Sequence, residues 1–185
     1  MRAMITAATV VLLASTSLSL ACGVERWPVK TGADQDAGLV ASAAAPSTIS
    51  TLTGLPAPPD PNIRQNTRFA PVETAPATVS GVLVVIKREK DQDYHLVIAD
   101  PQNPSVTMIV ESPNPNCAPR SRFTQEIAQV RQAIESHFNG PITRRRRVNI
   151  PVTVTGVPFF DAFHGQEGVA ANGIELHPIL AIQFQ

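Results

Sequence analysis

From residue 77 onward, apolar and polar positions alternate in short runs separated by turn residues. Over Thr78–Arg88, Val79, Leu83 and Val85 fall on one face and Val82, Val84 and Ile86 on the other. Such a run predicts a strand buried on both sides or curving round a core. Gly81 marks a bulge or a close backbone approach within it. Lys87–Asp93 is charged and reads as a hairpin tip, and Tyr94–Ala99 follows as a strand with Tyr94, Leu96 and Ile98 in phase. Asp100–Pro104 is a turn. Val106–Glu111 is the third strand, with Val106, Met108 and Val110 on one face.

The period then changes. Phe123, Ile127, Val130, Ile134 and Phe138 recur at helical spacing and form one apolar stripe. Ser121 is placed as its N-cap, and Asn139-Gly140-Pro141 stops it. Two further strands are expected. One is Val148–Val157, with Val148, Ile150, Val152 and Val154 on one face, and the other is Ile174–Phe184, with Ile174, Leu176, Leu180, Ile182 and Phe184 inward. Pro151 cannot donate to a ladder and restricts its strand to an edge or a bulge. The order β-β-β-α-β-β predicts a mainly β domain over residues 77–185, a small OB-fold-like barrel with one helix.

Upstream the pattern disappears. Residues 22–76 hold eight of the 17 prolines, with much Ala, Ser and Thr and no sustained apolar period. This predicts a disordered Pro/Ala-rich linker that holds the domain off a surface. Residues 1–21 read as a signal peptide: Arg2 is the positive start, Ile5–Leu20 is apolar, and small residues precede the cut. The apolar run is shorter than the roughly 20 residues of a spanning helix. The mature chain is therefore expected to be exported, in the periplasm or cell envelope.

Cys22 follows directly. With Ala21 and Gly23 beside it and Leu18 upstream, the stretch resembles a bacterial lipoprotein signal, although the Leu is one position off. That resemblance implies lipidation at Cys22 and attachment to a membrane. Ordinary secretion and a Cys22–Cys117 disulfide are the competing readings, since Cys117 is the other of two cysteines.

Charge adds one exclusion. Fifteen Lys and Arg balance fifteen Asp and Glu, so no global field draws the chain to nucleic acid.

Candidate chemistry concentrates near the end. Glu175 and His177 are two apart on a strand and project from one face, with Asp161 and His164 in the loop before them. Two imidazoles and two carboxylates could hold a divalent metal, or form a hydrogen-bonded polar cluster that fixes the loop. Arg144, Arg145, Arg146 and Arg147 form a run suited to phosphates or, equally, a solvated turn. Phe159, Phe160 and Phe163 are either stacking platforms for bases or a plug at the barrel end. Asp100 and Glu111 resemble the carboxylates of OB-fold nucleases in type only. No Gly-x-Ser-x-Gly elbow and no phosphate-cradling glycine loop occurs.

The run Gly168-Val169-Ala170-Ala171-Asn172-Gly173-Ile174-Glu175-Leu176-His177-Pro178, with Val154–Asp161 before it and Tyr94–Asp100 upstream, resembles a family of bacterial exported proteins of OB-like fold. The resemblance covers residues 77–185. It implies export and fold, and no activity. The leading expectation is a non-enzymatic, lipid-anchored envelope module, binding an unknown ligand or protein and needing no cofactor. Its rivals are a metal-dependent hydrolase using Asp161, His164, Glu175 and His177, and a binder of single-stranded nucleic acid or another polyanion.

Overall fold

The alternating runs become strands where their pattern places them. The computed structural model describes Cys22, Gly23 and Glu25–Gln185; the expected signal peptide, residues 1–21, lies outside the described residues. In chain order come helix α1 (Trp27–Thr31), strand β1 (Ala45–Pro46), helix α2 (Ile49–Thr53), β2 (Ala77–Arg88), β3 (Tyr94–Ala99), β4 (Thr107–Ser112), helix α3 (Thr124–His137), β5 (Arg146–Phe160) and β6 (Ile174–Phe184). The protein is mainly β, a six-stranded sheet with short helices and one longer one, α3.

The five strands expected from periodicity are β2 to β6. β2, β3 and β4 form an antiparallel meander. β6 pairs in parallel with β4 and antiparallel with β5. β5 also pairs along most of β2, so the pairings return to the strand they started from. The main core includes Leu83, Ile86, Leu96, Ile98, Met108, Val110, Val154, Leu176 and Ile179 from the sheet and Val130 and Ile134 from α3, and a second, smaller cluster joins Val40, Ala118, Phe123, Ile127 and Val157.

The irregularities have local causes. The bulge in β2 falls between Leu83 and Val85, not at Gly81, and it shifts the alternation so that both Val85 and Ile86 are buried. Gly81 serves the other expected purpose: a Cβ there would lie 2.9 Å from Ile49 Cδ1 and 3.2 Å from the Ala99 carbonyl oxygen. Pro151 is not at a bulge; it sits opposite Val82 in β2 and one residue beyond the last paired position of β6, a local edge, where its carbonyl accepts from the Gln185 amide at 3.0 Å. The first residue before α3 is Phe123 instead of Ser121; the Ser121 hydroxyl accepts from the Phe123 amide at 2.9 Å and shapes the entry turn.

Residues 22–76 correct the expectation of a disordered linker. They fold as a strap across the sheet, and polar groups provide much of the anchoring. Arg26 is 1% exposed and uses all five of its N–H donors: two reach the Glu73 carboxylate at 2.7 Å each, and the others go to the carbonyls of Arg64, Thr67 and Phe160. Glu73 in turn accepts from the amides of Phe69 and Phe160, both at 2.8 Å. Arg68 is likewise buried against Asp34, at 2.6 Å. Ile49 and Leu52 of α2 enter the main core, and β1 pairs with the start of β2. Apolar periodicity cannot reveal a segment held by buried arginines.

Cys22 is disulfide-bonded to Cys117, which corrects the lipidation expectation. A sulfur engaged in that bond cannot carry a diacylglycerol thioether. Among the described residues, no helix is long and apolar enough to cross a membrane.

Candidate functional site

Two loops, 89–93 between β2 and β3 and 161–173 between β5 and β6, stand on either side of an open pocket of about 470 Å³. The strap supplies part of the wall through Cys22, Gly23, Glu25 and Lys30. The floor is made of His95, Glu111, Asp161 and Glu175.

Strand register builds this floor. His95 and Glu111 lie opposite each other in the β3–β4 ladder, and Glu175 lies opposite Ile109 in β4 and Phe159 in β5. Side chains at directly facing positions touch. His95 Nδ1 is 2.7 Å from Glu111 Oε1, while its Nε2–H donates to the Glu167 carbonyl at 2.9 Å. The longer loop is pinned at two places. Gly168, at φ +82°, approaches β3 so closely that a Cβ would collide with Val97. Gly173, at φ +72°, accepts through its carbonyl from the Asp161 amide at 2.9 Å and closes the loop at its base.

Beneath the floor sits His177, which is fully buried. Its Nε2 is 3.6 Å from Asp93 Oδ2, and its Nδ1 is 3.4 Å from Glu111 Oε2 and 4.0 Å from Glu175 Oε2. None of these is aligned as a hydrogen bond. Asp93 Oδ2, Glu175 Oε2 and both ring nitrogens of His177 are buried without a hydrogen-bond partner. Each such orphan ordinarily costs about 1–3 kcal/mol. Asp93 faces Nε2 whereas Glu111 and Glu175 face Nδ1, and four such atoms about one imidazole are unusual for a packed interior.

Charge and burial push the ionisable groups apart. Burial raises Glu175 well above the usual carboxylate range, and the charges of Glu111 and Asp161 add to that. Burial also pushes Asp93 up to about 6, against the pull of His177. For Glu111 burial acts upward, but the hydrogen bond from His95 and the charges of His177, His95 and Lys30 outweigh it and bring the group down to about 2. For His95 burial acts downward, and the bond and charge of Glu111 overcome it and raise the imidazole. Lys30 is raised despite its burial, because Asp161, Glu175 and Glu111 surround the ammonium. A neutral carboxyl beside an ionised one is an arrangement suited to proton exchange, to cation binding, or to both.

The four residues singled out in the sequence do not gather on one point. Glu175 and His177 do share a face of β6, as period two requires. Asp161 and His164 instead meet Glu25, in a second triad nearer the surface. There Asp161 already accepts from Lys30 and from Gln166, both at 3.2 Å, and His164 is half exposed. The partners of His177 are Asp93 and Glu111. Asp93, His95, Lys30 and Glu25 were missed. His95 and Glu111 carry a signal, as polar residues inside otherwise apolar strands. Lys30 and Glu25 lie in the strap and carry none.

The other candidates fall away from the pocket. Arg145 pairs with Glu167 at an exposed site, Arg146 lies over the Phe138 ring at 5.5 Å, and Arg144 and Arg147 face solvent. Phe159 and Phe160 are buried, and Arg26 and Lys30 lie over the Phe159 ring, which leaves Phe163 as the exposed member of that trio. Asp100 fixes the start of α2 by accepting from the Ser50 hydroxyl at 2.6 Å. Tyr94 is buried, with its hydroxyl donating to Glu135 at 2.6 Å.

No known family, curated protein or solved structure matches this chain.

Proposed function

We propose that the protein is an exported binding module of OB-like barrel form that takes a small cationic ligand in the pocket between loops 89–93 and 161–173. The observation that carries this reading is the pocket's make-up. Glu25, Glu89, Asp91, Glu111, Asp161 and the raised carboxyl of Glu175 line it against Lys30, Lys87, Lys90 and the imidazoles of His95 and His164, and no Phe, Tyr or Trp is among the lining residues. Excess carboxylate in a partly desolvated cleft favours an ammonium or guanidinium group over an anion. Lack of a stacking surface speaks against bases as the ligand.

The barrel form is supported by the order of pairing, by the parallel β4–β6 contact and by the helix between the third and fourth long strands. In that fold the two loops flanking this pocket are the ones that commonly receive ligands. Export is supported by the disulfide, which belongs to an oxidising compartment.

Isothermal titration with putrescine and with arginine, as amine probes, tests the reading. Saturable binding is expected for at least one of them, weakening as salt rises and at least about tenfold weaker in Glu111→Gln, the loss of one charge-assisted contact. Binding of acetate with no response to either amine would overturn it.

A further inference from the structure

We propose that Asp93, Glu111 and His177 form a site for one divalent transition-metal ion of the zinc or manganese type, set beneath the pocket floor. One ligand atom from each residue lies within 4.8 Å of the other two. Proximity of acidic groups alone would not make a site. The second observation is that His177 and Asp93 hold buried atoms without a hydrogen-bond partner here: Asp93 Oδ2 and both ring nitrogens of His177, of which one can ligate the ion, with Glu175 Oε2 alongside.

The outer contacts are arranged as a metal site requires. Asp93 has one oxygen occupied, Oδ1 accepting from the Asn114 amide at 2.8 Å, which leaves Oδ2 turned towards His177. Glu111 has Oε1 held by His95 at 2.7 Å, which leaves Oε2 turned towards His177. Each carboxylate is thus oriented from outside by one oxygen and free on the other, the usual relation between ligands and the groups that position them. His95 is itself fixed by the Glu167 carbonyl. The chain therefore carries a support for the support.

Donor chemistry selects the ion. One imidazole with two carboxylates suits zinc or manganese better than magnesium or calcium, which prefer all-oxygen shells. Glu111 and Glu175 line the open pocket, so an ion has a route to the site. Glu175 is positioned as a further oxygen donor or as a partner for a metal-bound water. The surface triad of Glu25, Asp161 and His164 lacks this character, because Asp161 is already bonded to Lys30 and Gln166. The inference shares Glu111 with the cationic-ligand reading and otherwise rests on Asp93 and His177, which do not line the pocket.

The test uses the full chain, stripped with chelator and titrated separately with zinc and manganese chloride. One equivalent of at least one ion is expected to bind. Asp93→Asn, which keeps the shape and the Asn114 contact, and His177→Gln are each expected to abolish saturable binding. His95→Gln, acting through Glu111, is expected to weaken it about 10–100-fold. His164→Ala is expected to leave it unchanged. X-ray absorption of the loaded wild-type chain gives a reading that no variant's folding can confound: one imidazole with oxygen donors supports the site. No saturable binding of either ion, two imidazoles in the shell, or binding that survives both Asp93→Asn and His177→Gln would overturn it. Because this assay contains no amine, its failure and failure of the cationic-ligand reading are separate results.

Discussion

The strap of residues 22–76 and the strand body of residues 77–185 are buried by different means. In the body, apolar side chains at regular spacing fill the main core, and backbone ladders satisfy the main-chain polar groups. In the strap, Arg26, Asp34, Arg68 and Glu73 are each buried, and their charges are matched by one another and by backbone carbonyls. The body is non-directional and tolerant in detail. The strap depends on directional bonds between a few long side chains and the backbone. A proline-rich stretch without apolar period can therefore be ordered, provided that a few long polar side chains reach carbonyls no other group would satisfy.

The largest effect should come from Glu73→Ala, which leaves the Arg26 guanidinium buried without its counter-ion. A loss of about 3–5 kcal/mol is expected in urea unfolding. The double variant Arg26→Met with Glu73→Leu should not recover it, because the carbonyls of Arg64, Thr67 and Phe160 and the amides of Phe69 and Phe160 then lose their partners. If Glu73→Ala alone is neutral, the strap is not anchored as described. Hydrogen exchange sharpens the point. Arg26 donates to the Phe160 carbonyl and Glu73 accepts from the Phe160 amide, so strap and body should lose protection together. Early loss confined to residues 22–76 would show that they form separate units.

Next in size is the disulfide, whose partners are 95 positions apart. Cys22→Ser with Cys117→Ser should cost about 2–4 kcal/mol by loosening the constraint on the unfolded chain. Thermal melts with and without reductant should converge in that variant, and persistent sensitivity to reductant would contradict the pairing.

The smallest effect concerns Asp100, which joins the two regions. The Ser50 hydroxyl and then the Gln102 amide hold its carboxyl below the ordinary 3.8. A group lowered in this way stabilises the fold above its unfolded pKa, and that contribution disappears as the pH falls through its folded value. Asp100→Asn should cost under about 1 kcal/mol at pH 7, and the cost should shrink as the pH falls below the ordinary 3.8, which flattens the acid limb of the stability curve. A loss at low pH as large as that at pH 7 would rule out ionisation as the cause.

Much of the body was legible because its signal is periodic. β2 to β6 and α3 start and end within a few residues of where alternation and the Phe123–Phe138 stripe place them. The shared face of Glu175 and His177 followed from period two. What period could not give was the company they keep. Asp93 comes from a hairpin tip and Glu111 from a neighbouring strand, and their meeting with His177 depends on which strands pair. Lys30 was hidden for the reason the whole strap was: its burial is compensated by charge, and hydropathy does not register that. The Cys22–Cys117 bond was open as an alternative, but two cysteines and a lipoprotein-like box could not decide it.

The parallel contact between β4 and β6 consists of two paired positions, Ile109 with Glu175 and Val110 with Leu176. β5 by comparison shares nine with β2. A ladder with so few rungs is the seam that breathing opens first, and Glu175 is on it. Solvent reaches Glu175 from the pocket above, and parting of these two rungs would open the sheet beside it.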